Sequence, residues 1–152
     1  MLLAVAKGSI EIIKLMLLNK DLDLNIRDSY SGANAFWLAC YYGRGSIMKE
    51  LANAGIDIYN TNNEKVDVLH LSIYLDRPNI VSMLLKSYFS LENITNKGYS
   101  VIHLCSILNR NEILQLIMNH LKKNQYKSDF IKKLLNNINE KCSISALSFA
   151  II

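Results

Sequence analysis

Residues 66–98 read VDVLHLSIYLDRPNIVSMLLKSYFSLENITNKG, and this stretch is one structural unit that the chain repeats. Val68-Leu69-His70-Leu71-Ser72 lies over Val101-Ile102-His103-Leu104-Cys105 at an offset of 33 residues, and over Ala35-Phe36-Trp37-Leu38-Ala39 at the same offset. A fixed period of that length is the mark of a repeat array, because each unit is too small to bury its own apolar face. Inside the unit the pattern is helix, short turn, helix, loop. Asp67 is placed to cap the first helix, since its carboxylate can accept from backbone N–H groups that lack a partner within the helix. Asn34, Ser100 and Ser145 hold the same place in other copies. The spacing predicts a first helix over Val68–Asp76, then a turn in which Pro78 opens the second helix. That helix, Ile80–Ser87, carries Ile80, Val81, Leu84 and Leu85 on one helical stripe. The equivalent turns are Gly8-Ser9, Gly43-Arg44-Gly45 and Asn109-Arg110-Asn111, with residue types that suit a left-handed helix end.

The unit resembles the ankyrin repeat, whose pattern runs G-x-T-P-L-H-x-A-A, then G-H-x-E-I-V-x-L-L, then G-A-D-V-N. Ala4–Leu18, Gly55-Ile56-Asp57-Ile58 and Asn96–Leu104 carry the likeness, and the Thr-Pro pair is absent from every copy. The resemblance covers nearly the whole chain. It implies an all-α fold, a solenoid of helix-turn-helix units with short β-hairpin loops, in about four repeats. One array then fills residues 1–152. Its copies are residues 1–30, 31–65, 66–98 and 99–142, with a partial one at 143–152. The fourth copy departs from the period. Ser148 stands 45 residues after His103, so the copy holds an insertion, which the lysines place near 122–141. Within it Ser128 is placed to cap a helix over Asp129–Ile138, with Phe130, Ile131, Leu134, Leu135 and Ile138 on one face. Such a helix is expected on the outer surface of the stack. Helices over Ala35–Tyr42 and from Asn111 to about Leu121 complete copies two and four.

Composition agrees with a folded chain: 51% of residues are apolar and 20% charged. Cys40, Cys105 and Cys142 show no paired spacing, and the first two fall on small-residue positions of first helices. They read as buried free thiols in a reducing, cytoplasmic compartment. Met1–Ala6 is apolar, but lacks the length and basic flank of a signal segment. No run approaches the roughly 20 apolar residues of a membrane-spanning helix. An apolar start and a break inside a repeat at either end suggest a piece of a longer protein, or a chain that docks end-on.

His70 and His103 hold matched positions, with Trp37 in their place in copy two. Stacked repeats set such residues about 10 Å apart, too far to share an ion bound at about 2.1 Å. The resemblance implies instead that this histidine ties neighbouring loops together. His120 closes the second helix of copy four. The sequence holds no Gly-rich phosphate loop, no C-x-x-C, no H-E-x-x-H and no G-x-S-x-G, so neither catalysis nor a cofactor or metal is expected. Residues 122–141 hold six lysines against Asp129 and Glu140, which equals the whole net charge of +4. Lys122, Lys123, Lys127, Lys132 and Lys133 are therefore candidate anion-binding residues, set against the plain reading of a solvated helix face. Aromatics are too sparse there for base stacking, so nucleic acid is not expected.

The resemblance places the ends of first helices and the loop tips on a concave, partner-facing groove. The candidate binding residues are Tyr30, Tyr41, Tyr42, Glu64, Tyr74, Leu75, Lys97, Tyr99, Ile107 and Leu108. Five of the eight tyrosines gather there. Tyrosine suits recognition because it buries area while keeping a polar end. The sequence thus reads as a protein–protein interaction module, a scaffold or assembly subunit whose partner it does not name. The alternative is a regulatory or targeting domain of a larger enzyme or channel, with the groove used intramolecularly.

Overall fold

The computed structural model describes residues 1–87 and 89–135, without the side chains of Lys133 and Leu135. The expected partial copy at 143–152, Ser145, Cys142, Lys141, Glu140 and Ile138 lie outside the described residues. Among those described there are nine helices and no strand. The chain divides into two compact units, Met1–Leu71 and Ser72–Ile152.

The first unit holds α1 (Leu2–Lys7), α2 (Ile10–Leu17), α3 (Ala35–Tyr41), α4 (Gly45–Asn53) and the start of α5 (Val68–Tyr74). Each helix pair is antiparallel neighbours across a short turn, α1 with α2 and α3 with α4. Like then packs on like: α3 lies against α1 and α4 against α2. The apolar stripes account for this. Val5, Ile13, Cys40, Ile47, Met48 and Leu51 are all at most 1% exposed. Each fully buried aliphatic contributes about 1.5–3 kcal/mol.

The second unit holds the rest of α5, then α6 (Pro78–Lys86), α7 (Val101–Ile107), α8 (Asn111–Lys123) and α9 (Ser128–Leu135). Pro78 occupies the first turn of α6, as its fixed φ allows. α6 and α7 both pack against α8, and Val81, Leu84, Leu104, Ile113, Ile117 and Leu121 are buried there in the unit. The last helix is expected on the outer surface of the stack, and the structure adds which helix it packs on. Its contact is with α7, a first helix, and Leu134 is buried. It sits beside α7 as α3 sits beside α1, because its apolar stripe needs a facing helix and α7 offers one.

The caps expected at Asn34, Asp67 and Ser100 form. The Asn34 Oδ1 accepts from the Trp37 N–H at 3.0 Å and the Asp67 Oδ1 from the His70 N–H at 2.9 Å. Ser100 and His103 cap each other reciprocally at the start of α7. Second helices start differently, with no side-chain cap. Instead the N–H groups of Arg44, Arg77 and Arg110 each donate to the carbonyl five residues back, all at 2.8 Å. The turn before each arginine holds a positive φ: 68° at Gly43, 54° at Asp76 and 54° at Asn109. The turn of copy one repeats this at Gly8, φ 78°.

The loops between pairs reverse direction as hairpins do, but form no strand ladder. Two backbone bonds close each: Asp28 N–H to the Ala33 carbonyl at 2.8 Å with Gly32 N–H back to Asp28 at 2.8 Å, Asn62 N–H to Val66 at 3.1 Å with Lys65 N–H back to Asn62 at 3.0 Å, and Thr95 N–H to Tyr99 at 3.1 Å with Gly98 N–H back to Thr95 at 2.7 Å. Their tips share a left-handed residue, Gly32, Lys65 and Gly98. In the first unit the tips are also joined: the Asn63 N–H donates to the Ser31 carbonyl at 2.9 Å, and Arg27 donates to the carbonyls of Gly32 and Thr61, both at 2.6 Å.

Candidate functional site

α3 is short and almost wholly committed to the core. It buries Ala35, Phe36, Trp37, Ala39 and Cys40, and so only its end carries exposed side chains. Tyr41 and Tyr42 are 47% and 44% exposed. Their rings meet edge to face, with centroids 5.1 Å apart and planes at 89°. Behind them the Trp37 ring stacks on Tyr41 at 5.9 Å and 10°. Trp37 is itself fixed, since its indole N–H donates to the Val66 carbonyl at 2.9 Å. Trp37 thus ties α3 to the residue that closes the 62–66 loop. It leaves two tyrosines presented on a rigid backing, the arrangement that lowers the entropy lost on docking.

The remaining candidates of the first unit sit on its loops. Tyr30 is 92% exposed at its loop tip, where its carbonyl accepts from the Asn63 amide at 3.0 Å. Glu64 is exposed on the next tip. In the second unit Tyr74 ends α5 and Ile107 ends α7, both exposed, with Leu75 and Leu108 half-buried beside them in sequence. Lys97 is exposed, whereas Tyr99 is half-buried and its backbone closes the 95–99 loop.

The basic candidates lie on α8, α9 and the turn between them. Lys122, Lys123, Lys127 and Lys132 are exposed, and the side chain of Lys133 lies outside the described residues. A row of rings braces this corner. His120 lies 6.0 Å from Tyr126, and Tyr126 stacks on Phe130 at 5.1 Å. The Asn124 amide donates to the His120 carbonyl at 2.9 Å. Burial, and then the neighbouring Lys123, hold the His120 imidazole below its usual pKa.

Other titratable groups are structural in geometry. His70 Nδ1 stands 2.8 Å from Asp67 Oδ1, both side chains fully buried. His103 Nδ1 stands 2.7 Å from the Ser100 hydroxyl. Burial pushes the Cys105 thiol up to about 12, which keeps it from acting as a thiolate. Among the described residues no cluster of three His, Cys, Asp or Glu side chains could hold a metal ion. No helix among them is long and apolar enough to cross a membrane.

Two features escaped the sequence reading. Trp37 was legible only as a replaced histidine, although its spacing of four from Tyr41 on one helix signals the stack. The arginines at 44, 77 and 110 recur at the repeat period. Arg44 lies over the Gly8 backbone, and Arg110 pairs with Asp76 at 3.1 Å, so each reaches back to an earlier turn.

Compared with known families, residues 1–93 match a model described as ankyrin repeats, in three copies. No curated protein matches the chain.

Proposed function

The chain belongs to the ankyrin-repeat family, and from that premise we propose that it is a protein-binding module that docks its partner on the tyrosine-bearing ends of its first helices. Ankyrin repeats generally mediate protein–protein interaction. The observation that carries the reading here is the Tyr41–Tyr42 pair. Two large amphipathic rings stand half-exposed on a helix end whose other side chains are core, and a buried, hydrogen-bonded Trp37 backs them. In the second unit, taken by itself, the candidate binding residues are Tyr74, Leu75, Ile107 and Leu108. Tyr30, Glu64, Lys97 and Tyr99 add contacts from the loops. The buried thiols of Cys40 and Cys105 fit a scaffold or assembly subunit in a reducing, cytoplasmic setting.

The test is a capture experiment from native extract with the wild-type chain and a Tyr41→Ala, Tyr42→Ala, Tyr74→Ala variant of unchanged helical circular dichroism. A protein retained by the wild type and lost by the folded variant supports the reading. Equal retention by both places binding elsewhere.

A further inference from the structure

We propose that the corner between α8 and α9 is a second docking surface, and that it takes an acidic protein segment rich in Asp and Glu. This does not rest on the tyrosine reading. Residues 122–135 hold five lysines and one acid, Asp129. The ion pairs Lys14–Glu50, His70–Asp67 and Arg110–Asp76 all lie away from this corner, and none of them engages Lys122, Lys123, Lys127 or Lys132. Like charges held together repel, and the corner is nevertheless built to hold them. The Tyr126 and Phe130 rings stack, His120 lies beside them, and the Asn124 amide closes the end of α8. A left-handed Gln125, φ 51°, turns the chain so that Lys122 and Lys123 on one helix are followed closely by Lys127 at the next.

Chemistry separates the polyanions that such a corner could meet. A single-stranded nucleic acid needs free aromatic faces for its bases. Here Tyr126 and Phe130 are only half-exposed and spend faces on each other. Lysines alone give a lipid surface only a salt-screened attraction, and firm docking there adds an apolar wedge beside them. Among the described side chains after Ile107 no large hydrophobic one is exposed. An acidic peptide needs neither. Its carboxylates pair with ammonium groups as point charges, and the flexible lysine stems let each charge follow an extended acidic segment.

The probe is a fluorescein-labelled oligo-glutamate peptide, read by anisotropy against the whole chain at low and high salt. Oligouridylate and phosphatidylserine-containing vesicles are run alongside. The variants are Lys122→Glu, Lys123→Glu, Lys127→Glu, its milder all-Gln counterpart, and a control with the same charge change, Lys20→Glu, Lys49→Glu, Lys86→Glu. Circular dichroism checks that each is folded, and the all-Gln variant stands in should the charge reversal not fold. The proposal expects wild-type binding that weakens with salt, a loss of about tenfold or more in the corner variant, and a loss under about threefold in the control. It is overturned if the wild type does not bind at low salt, if corner and control variants lose equally, or if oligouridylate or vesicles bind more tightly than the peptide.

Discussion

Lys65 holds a backbone conformation that lysine seldom takes. Its φ of 57° stands in register with Gly32 and Gly98 at the other loop tips. A left-handed residue with a Cβ costs about 1–2 kcal/mol, and the added freedom of glycine in the unfolded chain offsets about half of that. Lys65→Gly is therefore expected to stabilise by about 0.5–1 kcal/mol, read as a higher denaturant midpoint at unchanged slope. Gly32→Ala should do the opposite, losing about 2 kcal/mol, because φ is 72° and the Asn63 side chain occupies the space of a new Cβ. Lys65 was not legible from residue type; only the register with two glycines betrays it. The caps were legible, because Asn34, Asp67 and Ser100 act within four residues of themselves. At Asp28 a titration is expected. Hydrogen bonds from the Ser31 hydroxyl and backbone N–H, both 2.6 Å, hold its carboxyl below the usual value of 3.8. A depressed carboxylate contributes stability above its unfolded pKa and loses it as pH falls through the folded one. The 28–33 loop is thus expected to loosen only under acid below that value. In Ser31→Ala, which keeps the backbone bond, the Asp28 carboxyl should titrate closer to 3.8 by NMR; an unmoved titration would remove the Ser31 hydroxyl as the main cause.

At the scale of the element, α3 shows why one helix carries both fold and candidate site. Asn34 serves three partners: its Oδ1 caps Trp37, its amide donates to the Asp57 carbonyl at 2.7 Å, and its backbone N–H donates to Asn60 Oδ1 at 3.1 Å. Asn34→Ala leaves the Asp57 carbonyl and the helix end unsatisfied, and should cost about 2–3 kcal/mol. Trp37→Phe keeps an aromatic body but drops the bond to Val66. It is expected to cost about 1–2 kcal/mol, and to loosen the Tyr41 ring, seen as a weaker near-ultraviolet dichroism at retained helix content. The boundaries of α3, α6 and α8 followed from caps, Pro78 and apolar spacing to within two or three residues. The place of α9 did not. A stripe of Phe130, Ile131 and Leu134 states that one face is buried, and is silent about which helix buries it; α7 does so through long-range packing that no local spacing encodes.

For the whole molecule, the period made the repeat fold legible, because every copy must present the same small, apolar and turn-forming residues to its neighbours. The candidate surfaces were less legible. Exposed positions such as Tyr41, Tyr42 and Lys122 are free of that constraint, so register locates them without showing what they do. The corner at Tyr126 and Phe130 breaks the period and was visible only as charge. The same repetition governs stability. A chain of helix pairs lacks one central core, and damage is felt chiefly by the damaged pair and its neighbours. Leu51 is fully buried in the first unit and Ile117 in the second. Truncating either to alanine should cost about 2–5 kcal/mol. Amide hydrogen exchange separates local from global loss. For Leu51→Ala, protection should fall most in α2 and α4, and for Ile117→Ala most in α6 and α8, each with a smaller change in the other unit. A uniform loss of protection across α2 and α8 in either variant would mean that the array opens as one cooperative body, and that the repeat-by-repeat account of its stability is wrong.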